Sequence, residues 1–443
     1  MSRISLLWIM CLQVLPTIAC NRDVLNRHDH VDDRRPSSDV EIAPPNPPVD
    51  SVVTEPAGSE DSDRQAAGSS PMTAAAISEL PIDGDIFVAG YLTKIVPRQV
   101  NASVVNGLSN GVGQGIWRNG IWKALATPNG LQYVSLRQTH PLQVNESGWY
   151  LLGSFVKKDT NELVPGYWKN GTWVELPKPV GLTEKSTYLG NSMAVDGRDV
   201  YVSLRYTLGP DDVEGQQGYW KNEVWTALKT GHSNYRLSGA SFGQGQSLLV
   251  VGTDVYLSES FAVCSTSTTC SDEGAGYWKN QIWTTLANPG TLSFFAGSIH
   301  HAYSGFYILG SSYSAVLGNN FGYWKDGAWN LIDDSSPADP IVWIGSTLLV
   351  NGTDVYSGIA SNAKGFGYWK NAAWVSIAIP GVTLGATILS GNRLAVKNAD
   401  VYVVGTIFQA GKWLAGYATG QVWKSLSQSD PTMQAIAQVI AVK

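Results

Sequence analysis

The chain has 443 residues, a net charge of −6 and only 15 % charged side chains, against 46 Gly, 17 Trp and 19 Tyr. Low charge with so many glycines and aromatics points to turns and β-strands rather than helices. Residues 81–443 carry 24 Lys+Arg and 24 Asp+Glu, a balance that gives no basis for nucleic-acid binding, where clustered cations must neutralise phosphates.

Residues 1–20 read as an export signal: Arg3, an apolar run from Ile4 to Ile18, then Ala19 before Cys20. The run Leu15-Pro16-Thr17-Ile18-Ala19-Cys20 resembles a bacterial lipobox, with Thr17 where Leu is usual. That resemblance implies cleavage before Cys20 and a diacylglycerol on its sulfur, hence a cell-envelope or outer-membrane lipoprotein, otherwise a secreted protein. Each acyl methylene buried in a membrane contributes ~0.8 kcal/mol. Residues 21–80 are rich in Pro and Ser, with 12 acidic and 5 basic side chains. They carry too little apolar surface to offset chain entropy and are expected to form a disordered tether reaching roughly 40–45 Å. His28 and His30 belong to that solvated charge run, not to a metal site.

From residue 81 two phrases alternate seven times. A strand phrase recurs as Asp85-Ile86-Phe87-Val88, Gly148-Trp149-Tyr150-Leu151, Asp199-Val200-Tyr201-Val202, Asp254-Val255-Tyr256-Leu257, Gly305-Phe306-Tyr307-Ile308, Asp354-Val355-Tyr356-Ser357 and Asp400-Val401-Tyr402-Val403. A hairpin phrase, Gly-Tyr-Trp-Lys-Asn-Gly-x-Trp and variants, opens at Gly115, Gly166, Gly218, Gly276, Gly322, Gly367 and Gly416, at spacings of 51, 52, 58, 46, 45 and 49. A period near 50 with several short strands per unit is the mark of propeller blades.

In Trp168-Lys169-Asn170-Gly171-Thr172-Trp173 the Asn-Gly pair centres a type I′ turn. It sets Trp168 opposite Trp173, and the same geometry applies to Trp117/Trp122, Trp220/Trp225, Trp278/Trp283, Trp324/Trp329 and Trp369/Trp374; the last repeat keeps only Trp423, opposite Ala418. An apolar segment ending in Gly precedes most strand phrases, so each unit reads as four strands, A to D. The Asp that opens the strand phrase is expected to accept a backbone N–H. The segment Ala435 to Val442 matches an A strand with no B strand after it, and is expected to complete the first blade. The fold expected is all-β: a seven-bladed β-propeller of four-stranded antiparallel blades, closed by the C-terminal strand.

These repeats resemble those of bacterial propeller proteins built on DVYVAG…YWKNG units, many with lipoprotein-type signals. The likeness covers about 81–443 and implies the fold without supplying a chemistry.

Length variation falls between strands B and C, at about 91–114, 154–165, 204–217, 258–275, 311–321, 357–366 and 406–415. Variable loops on one rim of a rigid ring are the expected binding surface. They carry Tyr91, Arg98, Tyr206, Asp211, Asp212, Tyr313, Phe408 and Trp413 as candidate contacts. Cys264 and Cys270 in the longest loop read as a disulfide in an exported protein. His300 and His301 read as strand-end polar residues. No cofactor, metal or nucleic acid is expected, and the chain is expected to be a monomer. The favoured role is binding or scaffolding of a protein or glycan. The alternative is a hydrolase or lyase working in the central channel, which convergent carboxylates with an Arg cluster at the channel mouth would favour.

Overall fold

The computed structural model describes residues 81 and 83–443, apart from 101–102, 109–112, 134–140, 161, 180–186, 208–215, 230–234, 238–246, 265–269, 291–292, 315–317, 334–341, 361–364, 382–386, 410–411 and 427–432. Residues 1–80, to which the sequence assigns an expected signal, Cys20 and a tether, lie outside the described residues. Every regular element described is a β-strand, and the strands form seven antiparallel sheets arranged as a seven-bladed propeller.

Blade 3 shows the plan: A (Thr187–Asp196), B (Asp199–Thr207), C (Gln216–Lys221) and D (Val224–Leu228), neighbours in that order. Blades 5 (Ser293–Ala302, Gly305–Ser314, Gly318–Lys325, Ala328–Asp333), 6 (Val342–Asn351, Asp354–Ala360, Gly367–Lys370, Ala373–Ser376) and 7 (Thr387–Lys397, Asp400–Gln409, Lys412–Thr419, Val422–Ser425) repeat it. In blade 2, strand B (Gly148–Lys157) pairs with an A strand in two pieces, Leu131–Tyr133 and Leu142–Asn145, and is followed by C (Leu163–Lys169) and D (Thr172–Glu175). Blade 4 likewise has Tyr235–Leu237 and Ser247–Val251 as A, then B (Asp254–Cys264), C (Cys270–Lys279) and D (Ile282–Thr285).

The hairpin phrase folds as its residues dictate. Asn170 and Gly171 take φ of 52° and 89°, both left-handed, so Trp168 meets Trp173 and Lys169 meets Thr172. The turn survives where its second residue is not Gly, at Glu223, Gln281 and Ala372, whose φ values of 71°, 75° and 62° are held by the ladder on either side. In all six double-Trp blades the indole centroids lie 4.1–5.4 Å apart. The second indole lies flat on the glycine that opens the phrase: a Cβ on Gly166 would stand 2.3 Å from the Trp173 ring.

The first indole of each pair is 0–5 % exposed because it plugs the joint with the preceding blade. Trp220 packs among Tyr150, Leu152 and Leu176 of blade 2, and its Nε1 donates to Pro177 O at 3.0 Å. Trp324 reaches Ala287 O of blade 4 in the same way, at 2.9 Å. In blade 7, where Ala418 stands opposite Trp423, Phe366 of blade 6 meets Trp423 edge-on at 5.4 Å and closes over Gly405. The neighbour supplies the missing ring.

The C-terminal strand Met433–Val442 is the A strand of blade 1, paired along Ile86–Val100 from Ile86↔Val442 to Lys94↔Met433; Gly113–Arg118 and Ile121–Ala124 follow as C and D. Gly84 N–H donates to Lys443 O at 2.8 Å, and Lys443 N–H to Asp85 O at 3.1 Å. Each A strand lies against the A strands of both neighbouring blades, blade 7 against blade 1 included. Closure leaves no open edge at the seam. Deleting Met433–Lys443 strips blade 1 of its inner strand and uncovers the cluster of Val88, Leu92 and Trp117; the truncated chain is expected to unfold or aggregate, and a melting temperature equal to that of the full chain would overturn the closure.

Candidate functional site

The ring has two ends. At one stand the short A–B and C–D turns, where the polar residues of the repeat are occupied in holding it together. In blade 3, Asn222 Nδ2 donates to Asp199 at 2.7 Å, Lys221 Nζ lies 3.0 Å from the same carboxylate, and Asn222 Oδ1 accepts the Val200 N–H at 2.9 Å. Blade 4 repeats the clamp with Asp254, Lys279 and Asn280, and blade 6 with Asp354, Lys370 and Asn371. Blade 1 uses Asp85, Arg118 and Asn119. The backbone N–H is therefore taken by Asn and not, as expected from the sequence, by Asp. The Asp instead gathers the Asn amide and the cation. These bonds hold the carboxyls of Asp199 (Asn222 first, then Lys221), Asp254 (Lys279, then Asn280) and Asp354 (Lys370, then Asn371) below the usual 3.8. Each lysine also lies 5.3–5.5 Å from the centroid of the strand-B tyrosine ring, as Lys221 does over Tyr201.

Blades 2 and 5 drop the Asp. At Gly148 (φ 143°) a Cβ would stand 2.3 Å from Asn170 Oδ1, and at Gly305 (φ 138°) 2.6 Å from Asp326 Oδ2. The preceding serines tie the turn to the next blade instead: Ser147 Oγ donates to Gly197 O at 2.9 Å and Ser304 Oγ to Gly352 O at 3.0 Å.

The long B–C connections stand at the other end, and much of what the sequence suggested as loop is strand. Blade 1's B strand runs to Val100 and turns back as Ser103–Leu108, with Arg98 opposite Val105. Tyr91 lies inside that strand, between Ile436 and Gln114, partly buried, and burial pushes its phenol above the usual value. Tyr206 is 4 % exposed, with its ring 6.0 Å from Trp225; it is core and not a rim contact, because its strand-B position turns it inward. Tyr313 sits in a strand opposite Ser293 and Asn319. Phe408 and Trp413 are direct cross-strand partners, Trp413 partly buried. They occupy paired strand rather than a free loop. Cys264 and Cys270 are likewise opposite one another at the end of blade 4's B–C hairpin. Asp211 and Asp212 lie outside the described residues.

In the channel, the A strands of blades 1, 3, 5, 6 and 7 shift register at one level, where those of blades 2 and 4 are split. Beside that irregularity six blades place one residue in a collar, Pro141, Ser192, Ser247, Ser298, Thr347 and Arg393 in blades 2 to 7, and blade 1 has the apolar Val439 at the same register. Three of the hydroxyls bridge blades. Leu248 N–H donates to Ser192 Oγ (3.0 Å), Ile299 N–H to Ser247 Oγ (3.1 Å) and Leu348 N–H to Ser298 Oγ (3.2 Å). Burial pulls the Arg393 guanidinium down to about 10, leaving it charged at neutral pH. Between blades 3 and 4, burial lowers the Arg205 guanidinium from its usual value, and the charge of the buried Glu259 offsets part of that. Sequence reading missed this collar; its one signal, in blades 3 to 7, is the polar residue standing immediately before the apolar A-strand residue that faces Val202, Leu257, Ile308, Ser357 or Val403. His300 Nε2 lies 3.2 Å from Val350 O and His301 is exposed, in keeping with strand-end roles. No group of three or more metal-ligating side chains occurs among the described residues.

No protein-family model matches the chain, and no curated protein matches it in sequence. Solved propeller structures do. A mutant of AofleA from Arthrobotrys oligospora is 16 % identical, with 71 % of this chain and 91 % of that one covered and a TM-score of 0.36. The polysaccharide lyase Uly1 is 11 % identical over 79 % of this chain and 91 % of its own, TM-score 0.38. A puromycin hydrolase mutant is 9 % identical, TM-score 0.48; the match takes in 82 % of this chain but only 57 % of that protein.

The clamps predict an acid limit. A carboxyl whose value is lowered on folding stabilises the fold above its unfolded value, and that contribution is lost as pH falls through the folded value. The melting temperature is expected to drop below pH 3.8, and Asp199→Asn/Asp254→Asn/Asp354→Asn to melt lower at pH 7 but with a shallower acid slope. Parallel slopes in thermal melts across pH 2–7 would count against it.

Proposed function

We propose that the chain is an exported, lipid-anchored binding propeller that presents its long B–C hairpins to a protein or glycan. The observation that carries this reading is the unequal length of those hairpins on an otherwise uniform ring: strand B has 15 residues in blade 1 and 7 in blade 6. Rigid paired strands carry contact residues with little ordering cost on binding. The Phe408/Trp413 pair and the Cys264/Cys270 pair, which we read as a disulfide stiffening its hairpin, fit such a rim. The collar also supports binding over channel chemistry. Among the described residues it is made of Ser, Thr, Val and Pro with a single Arg, whereas a hydrolase or lyase needs carboxylates or a base converging on one point.

The reading is tested by pull-down and glycan array with the soluble 81–443 fragment. Once a partner is captured, Trp413→Ala is expected to weaken binding by about tenfold or more, as loss of an aromatic anchor does, and to lower the melting temperature less than a core substitution does. Tyr206→Ala is the matched core control and is expected to lower the melting temperature. Equal destabilisation by both, or unchanged binding by Trp413→Ala, would remove the rim. Cys20→Ser is expected to move the protein from the membrane fraction to the soluble one; a variant that still pellets would rule out the anchor.

A further inference from the structure

The clefts between blades at the short-turn end repeat around the ring, and one of them differs in charge. Between blades 5 and 6 a cavity of about 300 Å³ is lined by Tyr307, Tyr323, Lys325, Asn330, Leu331 and Thr353. Pockets of this size suit a single small ring. Lys325 occupies the position of Lys221, Lys279 and Lys370, each of which lies 2.7–3.0 Å from its own Asp. Gly305 stands where that Asp would be. The turn carboxylate, Asp326, spends Oδ1 on the Phe306 N–H at 2.9 Å, and among the described residues no carboxylate lies within ion-pair distance of Lys325.

The neighbouring blade adds no counter-charge. Ala372 lines the cleft at the turn position that Glu223 holds beside blade 2, where the Glu223 charge is felt at Tyr167. Blade 2, the other repeat without the Asp, thus has an acidic side chain at its cleft, and blade 5 has alanine. The rest of the wall suits a ring with hydroxyl or aromatic faces. Lys325 Nζ lies 5.5 Å from the Tyr307 centroid, so the ammonium and this ring stand side by side in the cleft wall. Burial pushes the Tyr323 phenol up, so it remains a donor at neutral pH. Leu331, 48 % exposed, supplies an apolar lip.

We infer that the cleft between blades 5 and 6 is a binding site for a carboxylate carried on a six-membered ring, with Lys325 pairing the carboxylate and Tyr307, Tyr323 and Leu331 contacting the ring. The ligand's carboxylate takes the place that Asp199 holds in blade 3. This site lies at the opposite end of the blades from the B–C hairpins, so its fate and that of the rim are independent.

Titration calorimetry on the full-length chain with glucuronate, benzoate and glucose tests it. Glucuronate or benzoate is expected to bind and glucose not to; the stronger of the two acids identifies the ring as sugar or aromatic. Lys325→Met is expected to weaken that binding about tenfold or more, the usual consequence of removing a charged hydrogen-bond partner. Gly305→Asp/Asp326→Asn supplies the residues of the Asp–Lys–Asn clamp of blade 3 and is expected to compete the ligand away to a similar extent, at some cost in melting temperature because Gly305 has a φ of 138°. Lys221→Met, in a cleft whose lysine is already paired, is expected to leave binding unchanged. The inference is overturned if the wild-type chain binds neither acid more tightly than glucose, or if both Lys325→Met and the rebuilt clamp bind the acid as the wild-type chain does.

Discussion

Burial of one indole per blade, between its own sheet and the preceding one, is the contact on which the ring depends. The first Trp of each hairpin phrase is presented by strand C, covered by the second Trp from strand D, and driven into the joint with the neighbour. That second indole fits only because the phrase opens with Gly, whose missing Cβ leaves room for the ring. A single eight-residue phrase thereby shapes a hairpin, packs a blade and welds it to the next. Such large rings contribute most of their stabilisation through the area they bury. Blade 7 shows how firm the requirement is: with Ala418 in place of the indole, Phe366 arrives from blade 6 to occupy the joint.

Around the channel the blades are joined by a different chemistry. The A strands break their ladders at one level, which would leave main-chain groups without partners in the interior. Side-chain hydroxyls repair this across the blade boundary. Ser260 Oγ accepts the Ala296 N–H at 2.9 Å, and Thr406 Oγ1 accepts the Ala437 N–H at 2.8 Å. The second of these crosses the seam between the last blade and the first, so the closing strand is fixed by hydrogen bonds as well as by its ladder.

The repeat's charged and polar residues are mostly committed to structure, in clamps of Asp, Lys and Asn. Functional capacity is then concentrated where the pattern departs from itself. Gly305 and Ala372 leave Lys325 in a cleft without the Asp of its counterparts. Blade 1 extends its strand B far past the others. Arg393 stands in a collar otherwise built of hydroxyls, Pro141 and Val439.

Blade number, strand order, the type I′ turns, the Trp pairs and the closing strand were all legible in the sequence, because each follows from local spacing: a turn sets its own register, and register sets which side chains meet. Only the tertiary structure decided what lies across a blade boundary. Tyr206 looked like a loop residue until strand B was seen to continue and turn it inward. Asn rather than Asp takes the backbone N–H because the two are brought together over 16–33 residues of chain by the sheet. The collar and the cleft beside Lys325 join residues from different repeats. Linear spacing carries no information on which face of one blade meets which face of the next; that is settled by the wedge-shaped packing of seven sheets around a closed ring.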